Sequence, residues 1–188
     1  NPRGHTSLGV ALAAGDRWRE AELHFRRALE LRPGFAEAHY NLGNAWMQVG
    51  GLDSAVTQYR AAIAAEAEDA QAHANLAAAL RGLGDVAGAQ RHGRLAVRHN
   101  PRLPVGHTNL AIALQDLGRF DEAIQHFQEA VRLDPDNPVA LHNLAAALQA
   151  SGDLEGAESH YRAALLLRPD LVSARRGLND LLPEGSME

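Results

Sequence analysis

Histidine recurs at a fixed interval along this chain of 188 residues, so metal binding and proton exchange are the first chemistries to consider. In one set, successive histidines are thirty-four residues apart: His5, His39, His73 and His107. A second set has the same interval: His92, His126 and His160. A metal ion needs three or four ligands within a few ångströms, and one histidine per interval does not supply them. We therefore predict no metal ligands. Because imidazole titrates near neutral pH, a pH-dependent melting temperature is a second hypothesis.

Asparagine follows the same interval, at Asn41, Asn75, Asn109 and Asn143, and Ser7 holds the matching position near the start of the chain. We call these four asparagines the asparagine ladder. Asparagine is a poor helix former, but its amide both donates and accepts hydrogen bonds. The ladder therefore indicates hydrogen bonding, either to the backbone of a bound peptide or to the protein's own scaffold.

Several other chemistries are excluded by composition. The chain has no cysteine, and all 18 of its basic residues are arginine. Thiol catalysis, disulfides, iron–sulfur clusters, Schiff-base lysines and phosphate-binding P-loops all need residues that are missing. No glycine-rich dinucleotide motif, zinc-protease motif or serine-hydrolase motif is found. The sequence therefore predicts a protein that is not an enzyme and that needs no cofactor.

The charge balance bears on the kind of partner. The formal net charge is −5 and the isoelectric point is about 6.1, which argues against a strongly basic nucleic-acid-binding surface. No apolar run approaches the length of a membrane span, so membrane insertion is not predicted. We expect a protein or peptide partner, and the absence of cysteine fits the cytoplasm and the periplasm alike.

The elements that position these residues follow from the same interval. Leucines and alanines also recur with it, without insertion or deletion, through five units between Pro2 and Leu171. Each unit reads as two helices with an apolar face at helical spacing, joined by a short turn such as Gly15–Asp16, Gly50–Gly51 or Gly84–Asp85. In these turns glycine suits the left-handed residue that ends the first helix, and aspartate suits the start of the second.

The interval and residue pattern resemble the tetratricopeptide repeat (TPR) family. The fourth unit shows the match with Leu110, Ala111, Leu114, Ala123, Phe127, Ala130 and Pro135. The units depart from the family pattern at the tryptophan position, which holds histidine four times and Leu141 once, and at Ala67, which replaces a proline. Within the family, the Ala-His-x-Asn-Leu phrase resembles the superhelical arrays of O-GlcNAc transferase-like proteins.

The resemblance implies an all-α fold, a right-handed α-solenoid of five helix-turn-helix repeats with a capping helix. The predicted repeats span residues 2–35, 36–69, 70–103, 104–137 and 138–171. Residues 172–182 are expected to form the cap, with Val172, Leu178, Leu181 and Leu182 covering the last repeat. Residues 183–188 are expected to be disordered.

In the family the first helix of each repeat lines the concave groove, so the resemblance implies that the asparagine ladder lies there. Adjacent helices pack about 8–10 Å apart, and three residues of extended chain span roughly 10 Å. The ladder is therefore predicted to bind a peptide backbone about every third residue. Neighbouring residues expected in the same groove are Tyr40, Asn44, Thr108 and His142. The histidines at the family's tryptophan position are expected to be partly buried and hydrogen-bonded.

Three alternatives stay open at this stage. In the first alternative, the repeats recruit substrates for a larger enzyme, such as a bacterial glycosyltransferase or sulfotransferase, and this chain is an excised part of that enzyme. Alternatively they bind RNA, although the groove offers little basic or aromatic chemistry. A third alternative is self-association through the end repeats.

The third repeat departs from its neighbours in a way that affects stability. Gly93 stands where the other repeats carry Phe25, Tyr59, Phe127 and Tyr161, and Gly88 lies in the same predicted helix. Each interior glycine costs about 1 kcal/mol relative to alanine. The second helix of the third repeat is therefore predicted to be the least stable, which hydrogen exchange tests.

Overall fold

The computed structural model describes residues 1–181, and all of the regular secondary structure in that range is α-helical. The helices are α1 (Pro2–Ala14), α2 (Trp18–Leu31), α3 (Ala36–Gln48), α4 (Leu52–Ala65), α5 (Ala70–Gly82), α6 (Val86–His99), α7 (Pro104–Asp116), α8 (Phe120–Leu133), α9 (Pro138–Ser151), α10 (Leu154–Leu167) and α11 (Val172–Leu181). The predicted all-α helical-repeat fold is confirmed. The predicted tail, residues 183–188, lies outside the described residues, as does Leu182 of the expected cap. None of the helices within residues 1–181 combines the length and the hydrophobicity that a membrane span requires.

The helices fall into two compact units, the first from Asn1 to Pro101 and the second beginning at Arg102. In the first unit α1 packs on α2, α3 on α4 and α5 on α6, and successive pairs meet through α2 with α3 and α4 with α5. In the second unit α7 packs on α8, α9 on α10, and α8 on α9, and α11 lies against α9 and α10. We call the two members of each pair the first and second helix of a repeat.

In the first two repeats an aromatic ring packs among small residues in the core. In the first unit the rings of Phe25 and Tyr59 are fully buried on the second helices, flanked by alanines with no exposed surface. A Cβ atom added to Gly9 would lie 2.5 Å from the Phe25 ring, and one added to Gly43 would lie 2.6 Å from the Tyr59 ring. The first helix therefore carries glycine at the point where it approaches the ring most closely.

The turns inside the repeats follow the predicted chemistry with one correction. Gly50, Gly84, Gly118 and Gly152 all have positive φ. In the first repeat Gly15 was expected to be the left-handed residue, but its φ is −97°, and Asp16 has φ of 57° instead. Counting by the repeat interval explains the difference, because Asp16 and not Gly15 is equivalent to Gly50. Aspartate tolerates this conformation better than most residues with a Cβ atom.

Some of the helices begin at a side chain that binds free backbone N–H groups. The Asn137 side chain accepts hydrogen bonds from the N–H groups of Val139 and Ala140, both at 3.1 Å, and Pro138 begins α9. Asp85 and Asp153 cap α6 and α10 in the same way, by accepting from the N–H groups of Gly88 and Gly156. The predicted role of aspartate in these turns is thus confirmed at two of them.

Helix α11 lies against the last repeat, and the residues expected to cover it differ in burial: Leu178 and Leu181 are half-buried, but neither is fully buried. Ala174 and Gly177 are its buried residues, whereas Val172 is 78% exposed. The reason is steric, because a Cβ atom at Gly177 would lie 2.3 Å from the Tyr161 ring. The aromatic ring of the fifth repeat occupies the space that a larger side chain on α11 would need.

Candidate peptide-binding site

The asparagine ladder lies on the first helices, with Asn41 on α3, Asn75 on α5, Asn109 on α7 and Asn143 on α9. All four side chains are half-buried, and the leucine after each of them is buried in the core. Each amide therefore stands at the boundary between the core and the solvent. At such a position a side chain can contact the scaffold, a ligand or both.

In the first unit, Asn75 belongs to a hydrogen-bond network that joins two repeats. Its Nδ2 donates to the Tyr40 hydroxyl at 3.2 Å and to Asn44 Oδ1 at 2.9 Å. Asn44 Oδ1 also accepts from the Tyr59 hydroxyl at 2.7 Å. Three of the predicted site residues thus meet in one network. Both N–H donors of Asn75 are used, which leaves its carbonyl oxygen as the remaining acceptor.

Tyr59 completes the network, and the sequence analysis did not assign it to the site. Burial raises the pKa of its hydroxyl well above the usual value, so the group stays protonated and acts as a donor. The Tyr40 and Tyr59 rings lie 6.1 Å apart between centroids. A usable signal was present, because two of the three tyrosines of the chain fall in this repeat, one on each helix.

Asn41 makes a different contact, with its own helix. Its Nδ2 donates to the backbone carbonyl of Glu37 at 2.8 Å, which leaves one N–H and the carbonyl oxygen uncommitted. The two ladder residues of the first unit therefore differ: Asn75 links two repeats, whereas Asn41 binds only within α3.

In the second unit, the predicted residues lie on α7 and α9. The Thr108 hydroxyl donates to the backbone carbonyl of Pro104 at 3.1 Å, within its own helix. Asn109 is half-buried beside it. Asn143 makes no hydrogen bond within residues 1–181 and keeps its full capacity to donate and accept.

His142 precedes Asn143 and packs on an aromatic ring. Its ring centroid lies 5.7 Å from that of Tyr161. Burial lowers the pKa of His142, and its buried Nδ1 has no hydrogen-bond partner among the described residues. The ring is therefore neutral at physiological pH, which leaves one nitrogen to accept and the other to donate.

Histidines also join the two helices inside individual repeats, in a pattern that the sequence analysis did not identify. Nδ1 of the first histidine lies 3.1 Å from Nδ1 of its partner in His5–His24, 2.9 Å in His73–His92 and 3.0 Å in His107–His126. We call these the histidine pairs. In the second repeat the partner is Gln58, whose Oε1 is placed 2.8 Å from His39 Nδ1. The signal in the sequence was the constant separation of the two partners, which is 19 in every pair.

The predicted hydrogen bonding of the histidines at the tryptophan position is confirmed. The Nε2 atoms of His39 and His73 lie 2.8 Å and 3.2 Å from the backbone carbonyls of Pro33 and Ala67. His73 is also nearly fully buried. Within residues 1–181, no group of three or more histidine, aspartate and glutamate side chains is arranged to hold a metal ion.

Two shallow cavities flank Trp46 in the first unit, and the sequence analysis did not predict them. One, of about 300 Å³, is lined by Trp18, Trp46 and Val49 among others, and the other, of about 260 Å³, lies between Trp46 and α4. Trp46 rests on Gly51, where an added Cβ atom would lie 2.5 Å from the indole. Both tryptophans of the chain line the larger cavity.

Comparisons with known proteins agree with this architecture. Tetratricopeptide repeat models match residues 6–50, 47–104 and 138–171, and a TPR repeat model matches residues 113–152. A comparison with curated proteins finds no match.

Solved structures of similar fold include three named proteins. The thermophilic TPR protein TTC0263 of Thermus thermophilus is 26% identical with a TM-score of 0.77, and the match covers 96% of this chain and 98% of that one. YrrB, described as a TPR protein with an unusual peptide-binding site, is 22% identical with a TM-score of 0.69 over 93% and 90% of the two chains. PilF of Pseudomonas aeruginosa is 19% identical with a TM-score of 0.79 over 96% and 88%.

Proposed function

Because this chain belongs to the tetratricopeptide repeat family, whose members are generally protein-interaction scaffolds, we propose that it binds an extended peptide segment of a partner protein. The proposed contacts are made by the first helices through the asparagine ladder, Asn41, Asn75, Asn109 and Asn143. Tyr40, Asn44, Thr108 and His142 flank it. The role is recognition without catalysis.

The observation that carries this proposal is the state of the Asn75 amide. Tyr40 and Asn44 occupy both of its N–H donors at 3.2 and 2.9 Å. These bonds fix the side chain, and its carbonyl oxygen accepts no hydrogen bond from the described residues. A fixed acceptor at the edge of the core is suited to a backbone N–H of an extended chain, because little side-chain entropy is lost on binding.

The surrounding chemistry indicates the type of peptide. Charged side chains on the first helices are few and of both signs: Arg3, Glu37, Arg81 and Asp116. A clamp for a carboxylate or phosphate would need several basic groups together. The proposed ligand is therefore an extended segment with small polar and apolar side chains, bound mainly through its backbone.

A lysate pull-down read by mass spectrometry tests the proposal. The ladder variant carries Asn41→Ala, Asn109→Ala and Asn143→Ala, and it keeps Asn75 because that residue also joins two repeats. The control variant removes two exposed amides from a second helix, Gln125→Ala and Gln128→Ala on α8. All three proteins are compared after their melting temperatures have been matched.

We expect partners that the wild type and the control retain and the ladder variant loses. Partners that all three proteins retain equally would contradict the proposed role of the ladder and move the search to other surfaces. Synthetic peptides from a captured partner then show by titration whether the bound segment is extended and backbone-dependent.

A further inference from the structure

The histidine pair of the third repeat joins α5 to α6 through a contact that depends on protonation. His73 and His92 place their Nδ1 atoms 2.9 Å apart, a hydrogen-bond distance. A hydrogen bond between two ring nitrogens requires one proton between them, with one ring donating and the other accepting. The contact therefore survives in the neutral pair and in the pair with one extra proton, and it is lost when both rings are protonated.

The backbone determines which ring carries that proton. His73 Nε2 lies 3.2 Å from the carbonyl oxygen of Ala67, and only an N–H can bind there. Neutral His73 therefore has a bare Nδ1, and His92 donates to it. If both rings are protonated, two N–H groups face each other at this distance, so the hydrogen bond is lost and like charges repel.

The side chains around the pair favour the neutral state. Positive groups that face it from α4 and α6 are Arg60, Arg91 and Arg98. The acidic groups that face it are Asp69 and Asp85. The His99 ring stacks on His73 with centroids 5.5 Å apart. Burial, joined by this positive surplus, lowers the pKa of His73 and lowers that of His92 to about 4.

The other repeats differ at the same contact. Glu20 faces His24 in the first repeat, and Glu129 faces both His107 and His126 in the fourth. In the second repeat Gln58 replaces the second histidine. A glutamine amide can turn either its N–H₂ or its oxygen toward His39, so this contact can form with a ring nitrogen that donates or with one that accepts.

From this geometry we propose that the His73–His92 pair makes the third repeat an acid-sensitive element, in which protonation separates α6 from α5. The direction follows from linkage. Because the folded state holds these rings neutral, the stability is complete above the pKa of an unfolded histidine and is lost as the pH falls from about 6.5 toward about 4. The interior glycines Gly88 and Gly93 lower the helix propensity of α6, so this repeat opens at the lowest cost.

Hydrogen exchange read by mass spectrometry tests the proposal at about pH 7.5 and about pH 5, with rates corrected for intrinsic exchange. Linkage to a His92 pKa of about 4 gives an increase of about thirtyfold in the opening of α6 at about pH 5, and solvent screening of this half-buried ring brings the expected increase to about tenfold. The α4 amides, beside the His39–Gln58 pair, serve as the internal control. His92→Gln copies the pair of the second repeat and is expected to remove most of the increase.

Equal acid-induced opening of α6 and α4 in the wild type would overturn the proposal, as would an unchanged response in His92→Gln. If that variant does not fold, an NMR titration of the ring nitrogens in the wild type decides the question. A His92 pKa well below that of a free histidine supports the proposal, and an ordinary pKa overturns it. None of these measurements depends on peptide binding.

Discussion

Replacing Asn75 and Asn143 separately by alanine distinguishes scaffold from surface within the asparagine ladder. Asn75→Ala removes two hydrogen bonds, of 3.2 and 2.9 Å, each with a net stabilising contribution of about 0.5–1 kcal/mol at this half-buried position. Alanine returns about 0.5 kcal/mol of helix propensity. The expected net loss in the free energy of unfolding is therefore about 1 kcal/mol.

Asn143→Ala is the matched control, because it makes the same chemical change in a first helix. Asn143 has no hydrogen bond to lose within residues 1–181, so the gain in helix propensity of about 0.5 kcal/mol dominates. The two variants are thus expected to change stability in opposite directions. For a chain of this length the melting temperature should fall by about 3 °C in Asn75→Ala and rise by about 1–2 °C in Asn143→Ala.

Thermal unfolding followed by far-UV circular dichroism measures both shifts. A double-mutant cycle with Tyr40→Phe then isolates the Asn75–Tyr40 hydrogen bond, with an expected coupling of about 0.5 kcal/mol. Two shifts of the same sign and size would contradict this prediction, since they would mean that the network around Asn75 adds nothing to stability.

Three further substitutions test the fold, each by its melting temperature. Gly84→Ala places a Cβ atom on a residue with φ of +83° and is expected to lower the free energy of unfolding by about 1 kcal/mol. An unchanged melting temperature would contradict the left-handed turn. Gly43→Ala places a methyl group 2.6 Å from the Tyr59 ring and is expected to lower the free energy of unfolding by about 1–2 kcal/mol. A raised melting temperature would show that the ring can move away without cost. Asp85→Ala removes the N-terminal cap of α6 and is expected to lower the free energy of unfolding by about 1 kcal/mol. Hydrogen exchange of the Gly88 amide, which the Asp85 side chain binds, is expected to become faster.

The elements of the fold were predictable because each has a local cause. The repeat interval, the turn glycines and the Asn137–Pro138 cap depend on contacts within a helix or across one turn. Asp16 was missed because the left-handed residue was assigned from the residue type and not from the repeat interval. Gly15 lies one residue before the position that is equivalent to Gly50. Aligning the repeats by number would have identified the left-handed residue.

The candidate site was predictable only in part, because its contacts cross between helices. The interval marks Asn75 as one of four equivalent residues, yet only the packing of α5 on α3 and α4 brings it to Tyr40, Asn44 and Tyr59. Whether Asn109 and Asn143 bind a peptide stays a prediction. The histidine pairs could not be predicted for the same reason. A constant separation between two histidines indicates a contact only when their helices are known to face each other.

The two kinds of polar contact in the first unit have opposite consequences for the duplication of repeats. Both rings of a histidine pair belong to one helix pair, so a copy of a single repeat carries the complete contact with it. Asn75 takes its partners Tyr40 and Asn44 from the preceding repeat, so moving α5 and α6 alone would separate the amide from them. Helices α3 to α6 are therefore the smallest block that can be transplanted into another array with both the Asn75 network and the His73–His92 pair intact.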